Sequence, residues 1–506
     1  MSVNTSMRQQ VTTAGIAGLL DACAAARPTR PLLCDTAGVT LTVAQVAAAS
    51  AAATRWLWDA GVRPGMTVAW QLPSHINAAV TMLALSRLPI TQAPVLHLYR
   101  QREVSTALDV AHADILLADK STAENAPGNI RTVVLPDDFL GQLRSMPGTH
   151  AGLNGPCDPT DPSWVYFTSG TTGRPKGVRH TDTTLLSASR GYVRHLGVGS
   201  HPNEVGNIAF PIAHVGGMIY LATALLGDFP VLLVPKVSPD SLPHLLAEHA
   251  VTVTGASTAF YQMLVAAQIA APTDDLLVPS LRMLIGGGAA CPPEVHHQVR
   301  RHLRVPVVHA YGMTEAPMVC VSESTDSDEQ LANSAGRPIP GAQLRISPTG
   351  EIELRGSNLT VGYVDAQQWE QALTADRWFR TGDRGYLRPD GRIVVTGRTK
   401  DLIIRKGENI APDEIENELL AHPLVEEIAV LGQPDELRGE LVCAVVRRSP
   451  RHRDVTLDEL CRFLDERGLM KQKWPERLVV VDEFPMTGLG KVAKSELARQ
   501  ITGGTP

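Results

Sequence analysis

The residues best equipped for chemistry lie between Thr168 and Lys176, which read Thr-Ser-Gly-Thr-Thr-Gly-Arg-Pro-Lys. Glycines at Gly170 and Gly173 let backbone N–H groups approach an anion, and the hydroxyls of Thr168, Ser169, Thr171 and Thr172 supply further donors. Lys176 adds a mobile positive charge. This combination suits the gripping of phosphate. It is not the nucleotide P-loop, because Pro175 precedes the lysine and Gly177 follows it, where that motif has glycine and then Ser or Thr. A flexible linker is the commoner source of such composition. Linkers, however, are seldom flanked by an apolar strand, here Trp164-Val-Tyr-Phe167, and a Pro-Lys-Gly ending.

Further along, Tyr311-Gly-Met-Thr-Glu315 follows the apolar run Val305–Ala310 and so falls just past a strand end, where α/β folds collect their functional groups. Alone, a turn followed by a capping acid would produce it about as often. Leu281-Arg-Met-Leu-Ile-Gly-Gly-Gly-Ala-Ala290 is a buried-strand pattern running into small residues, which alone marks a tight turn. His214, in Phe210-Pro-Ile-Ala-His-Val-Gly-Gly217, reads alone as a hydrogen-bonded core histidine. Asp383 in Arg380-Thr-Gly-Asp383 and Arg398 in Gly397-Arg-Thr-Lys-Asp401 read as solvated turn charges, and Lys491, ending Pro485-Met-Thr-Gly-Leu-Gly-Lys491, as a surface charge.

Taken in the order they occupy along the chain, from about Leu41 to Leu497, the segments resemble the adenylate-forming superfamily, which contains acyl-CoA synthetases, luciferases and the adenylation domains of peptide synthetases. Those enzymes join a carboxylate to AMP with loss of pyrophosphate, then pass the acyl group to a thiol. The resemblance implies ATP, Mg²⁺ and, as co-substrate, CoA. It also implies roles. Thr314 touches the α-phosphate, Glu315 holds Mg²⁺ and Tyr311 stacks on adenine, with Gly312 and Met313 in the same nucleotide site. Gly288, Ala289 and Ala290 wrap the adenine with backbone, and their segment also walls the acyl pocket. Gly286 stands where relatives often have serine or another small residue, which would leave the pocket floor open.

The same resemblance makes His214 a residue that positions and screens the carboxylate. Asp383 takes both ribose hydroxyls, two donors suited to one bidentate acceptor, and Arg398 makes a second ribose contact. Lys491 bridges the carboxylate and the α-phosphate in the transition state, whereas Lys494 lacks the preceding glycine and is the weaker candidate. Lys400 falls at a hinge that is Asp or Lys in relatives. Rotation about it brings Lys406 and Gly407, in Ile404-Arg-Lys-Gly-Glu-Asn-Ile410, near the incoming thiol.

The implied chemistry is in-line attack of a carboxylate oxygen on the α-phosphate, with charge stabilised by Lys491, Mg²⁺ on Glu315 and the loop ending at Lys176. No protein nucleophile is needed, and no G-x-S-x-G elbow, zinc spacing or dinucleotide fingerprint competes. The expected function is a stand-alone acyl-CoA synthetase, since no carrier or reductase domain is appended. A ligase loading a carrier protein in trans, an enzyme activating an unusual acid such as nitrite for attack by an amine, and an inactive nucleotide-binding homologue are the alternatives. Intact Lys176, Glu315, Asp383, Arg398 and Lys491 argue against the last. Phe167 in place of the usual tyrosine, and Ala316-Pro317 after the glutamate, depart from the pattern. Asp240-Ser-Leu242 resembles a carrier attachment site only superficially, lying between a strand and a helix of the large domain.

The elements that must position these residues follow from length and texture. At 506 residues, 44% apolar and 19% charged, the chain can bury a large core in about three domains or one large domain plus a smaller one. Helical patterns such as Val43-Ala-Gln-Val-Ala-Ala-Ala alternate with apolar runs such as Thr67-Val-Ala-Trp-Gln-Leu, which predicts α/β layering. Strands are expected at 231–234, 251–254, 283–285, 428–431 and 441–446. A helix should start at Pro412, with Asp413 and Glu414 at its positive end. The expected fold is a large multi-layer α/β adenylating domain, residues 1–399, with a small mobile α+β lid, residues 400–506, hinged at Lys400.

A net charge of −6 argues against nucleic-acid binding. No signal peptide or transmembrane run is visible, so a cytoplasmic location is expected. The seven scattered cysteines lack ligand spacing and read as reduced thiols.

Overall fold

The computed structural model describes residues 15–146, 158–168, 175–272, 274–288, 291–405, 408–435, 439–487 and 491–502. Ser169, Gly170, Thr171, Thr172, Gly173, Ala289, Ala290, Lys406 and Gly407, all expected at the site, lie outside these residues. Lys400 is described by its backbone alone.

The apolar runs Ile115–Ala118, Val231–Leu233 and Val307–Tyr311 are buried along their whole length, as strands covered on both faces must be. They belong to two mixed sheets. In a nine-stranded sheet, Val307–Tyr311, Met283–Gly287, Val253–Thr254, Gly206–Ile208, Val231–Leu233 and Pro31–Asp35 run parallel in that spatial order, with antiparallel strands at both edges. In a seven-stranded sheet, Pro162–Thr168, Thr91–Pro94, Thr67–Gln71, Ile115–Ala118 and Arg131–Val134 run parallel. Lys176–Thr181 and Gly362–Tyr363 extend its first edge antiparallel. The strand expected at 251–254 is only Val253–Thr254, because Thr252 commits its N–H to the Val205 carbonyl and its hydroxyl to Glu204.

Helices pack between these layers. Ile76–Leu85 and Val215–Gly227 bury almost every residue, the mark of a helix enclosed on all sides. Trp70 and Trp164 from one sheet, Leu33 and Val231 from the other, and Met82 and Met218 from the helices share one core. The Ala-rich helix Val43–Asp59 starts at a capping box formed by Thr42 and Gln45. A four-stranded antiparallel sheet, Ala342–Ile346, Glu351–Gly356, Phe379–Leu387 and Ile393–Arg398, completes the large domain. Its Ile352, Leu354 and Phe379 pack in one cluster with Tyr311 and Cys320 of the nine-stranded sheet.

Through a 3₁₀ turn, Thr399–Asp401, the chain enters the small C-terminal domain. There, Ile428–Asp435, Gly439–Arg447 and the parallel Arg477–Val481 lie in a five-stranded sheet. Helices Pro412–Leu419, Leu457–Glu466 and Lys494–Thr502 accompany it. Pro412 takes the first helical position, where its missing N–H costs no hydrogen bond. Clusters around Val430, Val442 and Leu460, and around Ala429, Cys443 and Leu497, give this domain its own core.

Candidate active site

The two described ends of the phosphate-loop candidate are held side by side by strand pairing. Thr168 and Lys176 are register partners at the ends of strands Pro162–Thr168 and Lys176–Thr181, and period-two alternation sends Val178 and His180 inward. Lys176 Nζ lies over the Tyr363 ring, 4.7 Å from its centroid. Tyr363 pairs in register with Val178 on the neighbouring strand and donates its hydroxyl to Glu315 Oε1 at 2.9 Å. One loop lysine, one aromatic ring and the Glu315 carboxylate thus form a continuous wall. Burial raises the Glu315 carboxyl above its ordinary range, opposed by the Tyr363 hydroxyl and by the charges of Lys176 and Arg398.

His180 supports this wall from behind. Its Nε2 lies 2.7 Å from the Thr314 carbonyl and its Nδ1 2.8 Å from Thr184 Oγ1. A carbonyl can only accept, so Nε2 carries the proton and Thr184 donates to Nδ1. Full burial holds this imidazole neutral, its pKa pushed down to about 4.

The second group gathers at the C-terminal end of the strand Val307–Tyr311. Tyr311 Oη donates to Asp383 Oδ2 at 2.9 Å, and Arg398 Nε donates to Asp383 Oδ1 at 2.8 Å. Asp383 and Arg398 are direct register partners on adjacent antiparallel strands, so the sheet itself fixes the pair. A carboxylate offers about four lone-pair sites. Two are left over by these bonds. Asp383 is buried rather than solvated at a turn.

The third group brings His214 and Lys491 into the same cavity. His214 is the N-cap of the helix Val215–Gly227, and its Nδ1 accepts the Gly216 N–H at 3.1 Å. Burial, aided by the Lys491 charge, pushes its pKa down to about 4. The ring is therefore neutral, with its proton on Nε2 as a free donor. Lys491 arrives from the small domain, where Thr487 and Lys491 exchange hydrogen bonds of 2.7 and 3.2 Å. Its Nζ lies 3.8 Å from where a Cβ on Gly288 would stand. Desolvation in the cleft, then the Arg398 guanidinium, lower its pKa. Lys494 is engaged elsewhere, 2.6 Å from Glu416 and 3.6 Å from Asp413.

Thr168, Lys176, His214, Gly288, Tyr311, Gly312, Met313, Thr314, Glu315, Asp383, Arg398 and Lys491 all line one cavity of about 1660 Å³. That is larger than an ordinary small-molecule site of ~300–1,000 Å³ and has room for a nucleotide and an acid together. One expectation is corrected. The side of Gly286 does not open a pocket floor: a Cβ there would lie 2.2 Å from the Ala256 carbonyl and 2.4 Å from Tyr261 Oη. His180 and Tyr363 were not foreseen. The alternation Val178/His180 could have flagged the first, whereas Tyr363 reaches Glu315 only through strand pairing.

A family model described as AMP-binding enzyme matches residues 20–364, and one described as AMP-binding enzyme C-terminal domain matches residues 414–491. The 2-succinylbenzoate–CoA ligase of Geobacillus kaustophilus is 31% identical over 91% of this chain and 93% of its own. The medium-chain fatty-acid–CoA ligase of Escherichia coli is 27% identical over 96% of this chain and 90% of its own. Among solved structures, ATP-bound MatB from Rhodopseudomonas palustris superimposes with a TM-score of 0.85 at 27% identity, covering 96% of this chain and 98% of that one.

Proposed function

Because the chain belongs to the AMP-binding enzyme family, we propose that it is an AMP-forming acid–thiol ligase. A carboxylic acid attacks ATP at the α-phosphorus to give an acyl-adenylate and pyrophosphate, and CoA then takes the acyl group and releases AMP. The carrying observation is Lys491, which the small domain inserts into the large domain's cleft beside Gly288. An ammonium there meets the charge that builds on the carboxylate and the α-phosphate as they join.

The other groups fit the same reaction. Asp383, held by Tyr311 and Arg398, keeps lone pairs for both ribose hydroxyls. Neutral His214 offers an Nε2–H to the carboxylate and withholds a positive charge that would overstabilise the ground state. Lys176 and the loop before it take the outer phosphates, and Thr314 the α-phosphate. Among the described residues no cluster of three ligating side chains builds a metal cage. The Glu315 carboxylate, which lines the cavity, suits Mg²⁺, which takes one or two carboxylates together with phosphate oxygens and water. Bound there with the triphosphate, the ion supplies charge neutralisation.

For the second half-reaction the small domain, residues 400–506, rotates about Lys400 against residues 1–399 and brings Lys406 and Gly407 to the thiol. No helix among the described residues is long and apolar enough to cross a membrane, and the enzyme works in the cytoplasm. The test is a panel of acids with ATP and Mg²⁺, with and without CoA, read by mass spectrometry. Acyl-adenylate in every productive reaction, and thioester only with CoA, are expected. Adenylate without any CoA-dependent product would move the acceptor to a carrier-protein thiol or an amine. Absence of adenylate with every acid would overturn the reading.

A further inference from the structure

Resting on the acid-activating reading, we propose that the acid is a monocarboxylate whose uncharged tail carries an oxygen atom, as hydroxyl, carbonyl or ether, that hydrogen-bonds to Tyr192 Oη. His214 and Lys491 mark the place of the reacting carboxylate. Beyond them the cavity wall passes over Phe210, Ala213, Ile219, Tyr220, Tyr192 and Cys291, of which Tyr192 comes from the helix Asp182–Leu196 and Ile219 and Tyr220 from the helix Val215–Gly227. This wall is apolar except for its phenols and one thiol, and burial pushes the thiol up to about 12, so it stays protonated.

Tyr192 and Tyr220 are the two phenols on these helices. Tyr192, only 3% exposed, lines the cavity, yet its hydroxyl has no hydrogen-bond partner among the described residues. Its neighbours are satisfied within the fold: Ser189 Oγ donates to the Leu185 carbonyl at 3.0 Å, and Thr223 Oγ1 to the Ile219 carbonyl at 2.7 Å. The nearby phenols do not compete for the cavity. Tyr220 Oη is shut in against Gly206 and Tyr261 Oη against Gly286, each 2.4 Å from where a Cβ on that glycine would be.

A buried hydroxyl left unmet costs ~1–3 kcal/mol. Before an acid binds, water can meet Tyr192. A tail that displaces that water without replacing its bond loses affinity, and one that replaces the bond keeps it. The tail oxygen therefore restores what the fold leaves open.

Charge on the tail is disfavoured by the same wall. The arginines lining the cavity are paired, Arg398 with Asp383, Arg388 with Glu329 and Arg380 with Glu351, while Lys176 stands beside Glu315 and Lys491 at the reaction centre. No lysine or arginine stands on the Tyr192 wall. A second carboxylate would be buried there without a counter-charge.

The experiment compares kcat/KM for acid-dependent AMP formation across straight-chain acids from butanoate to decanoate and para-substituted 3-phenylpropanoates, each ending in methyl, hydroxyl or carboxylate. The best hydroxyl-tailed acid should exceed its methyl partner by ~10-fold or more, and its carboxylate partner by a larger factor. Tyr192→Phe should bring the hydroxyl-to-methyl ratio to near unity, whereas Tyr220→Phe should keep it. These ratios do not depend on how much of a variant folds. Methyl tails equal to hydroxyl tails throughout, preferred carboxylate tails, or an undiminished ratio in Tyr192→Phe would each overturn the proposal and leave acid activation standing. Absence of AMP formation with every acid would remove the ligase reading and this proposal together.

Discussion

Tyr311 Oη donates to Asp383 Oδ2 at 2.9 Å, and this bond ties the last residue of a parallel-sheet strand to the middle of the four-stranded antiparallel sheet. It aims the carboxylate, while Arg398 holds the other oxygen. Removing the hydroxyl in Tyr311→Phe deletes one hydrogen bond to a charged group, worth ~1.5–3 kcal/mol. The KM for ATP should rise roughly 10-fold or more, with a smaller change in kcat. Asp383→Ala should cost more, because Arg398 then stands in the cleft without its partner. Steady-state kinetics with ATP varied will check both; an unchanged KM in Asp383→Ala would separate this cluster from the nucleotide.

Lys491 should impose an alkaline limit on adenylation. Desolvation in the cleft and the Arg398 charge lower its pKa below the usual 10.5, so the ammonium is lost at lower pH than in a lysine free in water. The rate of acid-dependent pyrophosphate release should fall on the alkaline side, below pH 10.5. In Lys491→Arg the plateau should be lower, because the longer, planar head does not fit the same point, but the alkaline limb should disappear. An identical limb in both enzymes would assign it to another group.

His180 and His214 make the fold acid-sensitive. Each has a folded pKa of about 4 against an ordinary 6.5. As pH falls through 6.5, the unfolded chain takes up protons that the folded chain refuses, and stability is lost progressively down to about pH 4. The Tm should therefore drop between neutral pH and pH ~5, and His180→Asn should flatten that slope while lowering Tm at neutral pH. Parallel slopes in wild type and variant would contradict the neutral buried imidazole.

The bond from Tyr363 to Glu315 makes a graded prediction. Tyr363→Phe keeps the ring beneath Lys176 and removes only the hydroxyl on the carboxylate. It should shift the Mg²⁺ concentration for half-maximal activity by a few-fold, in line with ~1 kcal/mol for one hydrogen bond. Glu315→Gln, which removes the charge, should shift it by at least ~10-fold. Magnesium titrations of pyrophosphate release at saturating acid will read both.

Much of this arrangement was legible in the sequence where local pattern and spacing sufficed. The Trp164–Phe167 strand, the helix starting at Pro412 and the strand before Tyr311 follow from apolar periodicity and helix-start signals. The family resemblance implied one site for Glu315, Asp383 and Lys491, although 68 and 108 residues separate them in turn. What escaped were contacts created by strand register. Nothing near Tyr363 announces that pairing with Val178 will carry its hydroxyl to Glu315. Gly286 misled for a related reason: its neighbours, the Ala256 carbonyl and Tyr261 Oη, come from the adjoining chain segments rather than from its own. Likewise, the lack of a partner for Tyr192 can be seen only once two helices are packed.

The most direct test of the central claim is acid-dependent pyrophosphate release by Lys491→Ala. The wild-type enzyme should release pyrophosphate only when a productive acid accompanies ATP and Mg²⁺. Lys491→Ala should lose this release by ~10²–10³-fold or more, yet still convert supplied acyl-adenylate and CoA to thioester and AMP. Pyrophosphate release at the wild-type rate in the variant would contradict the account.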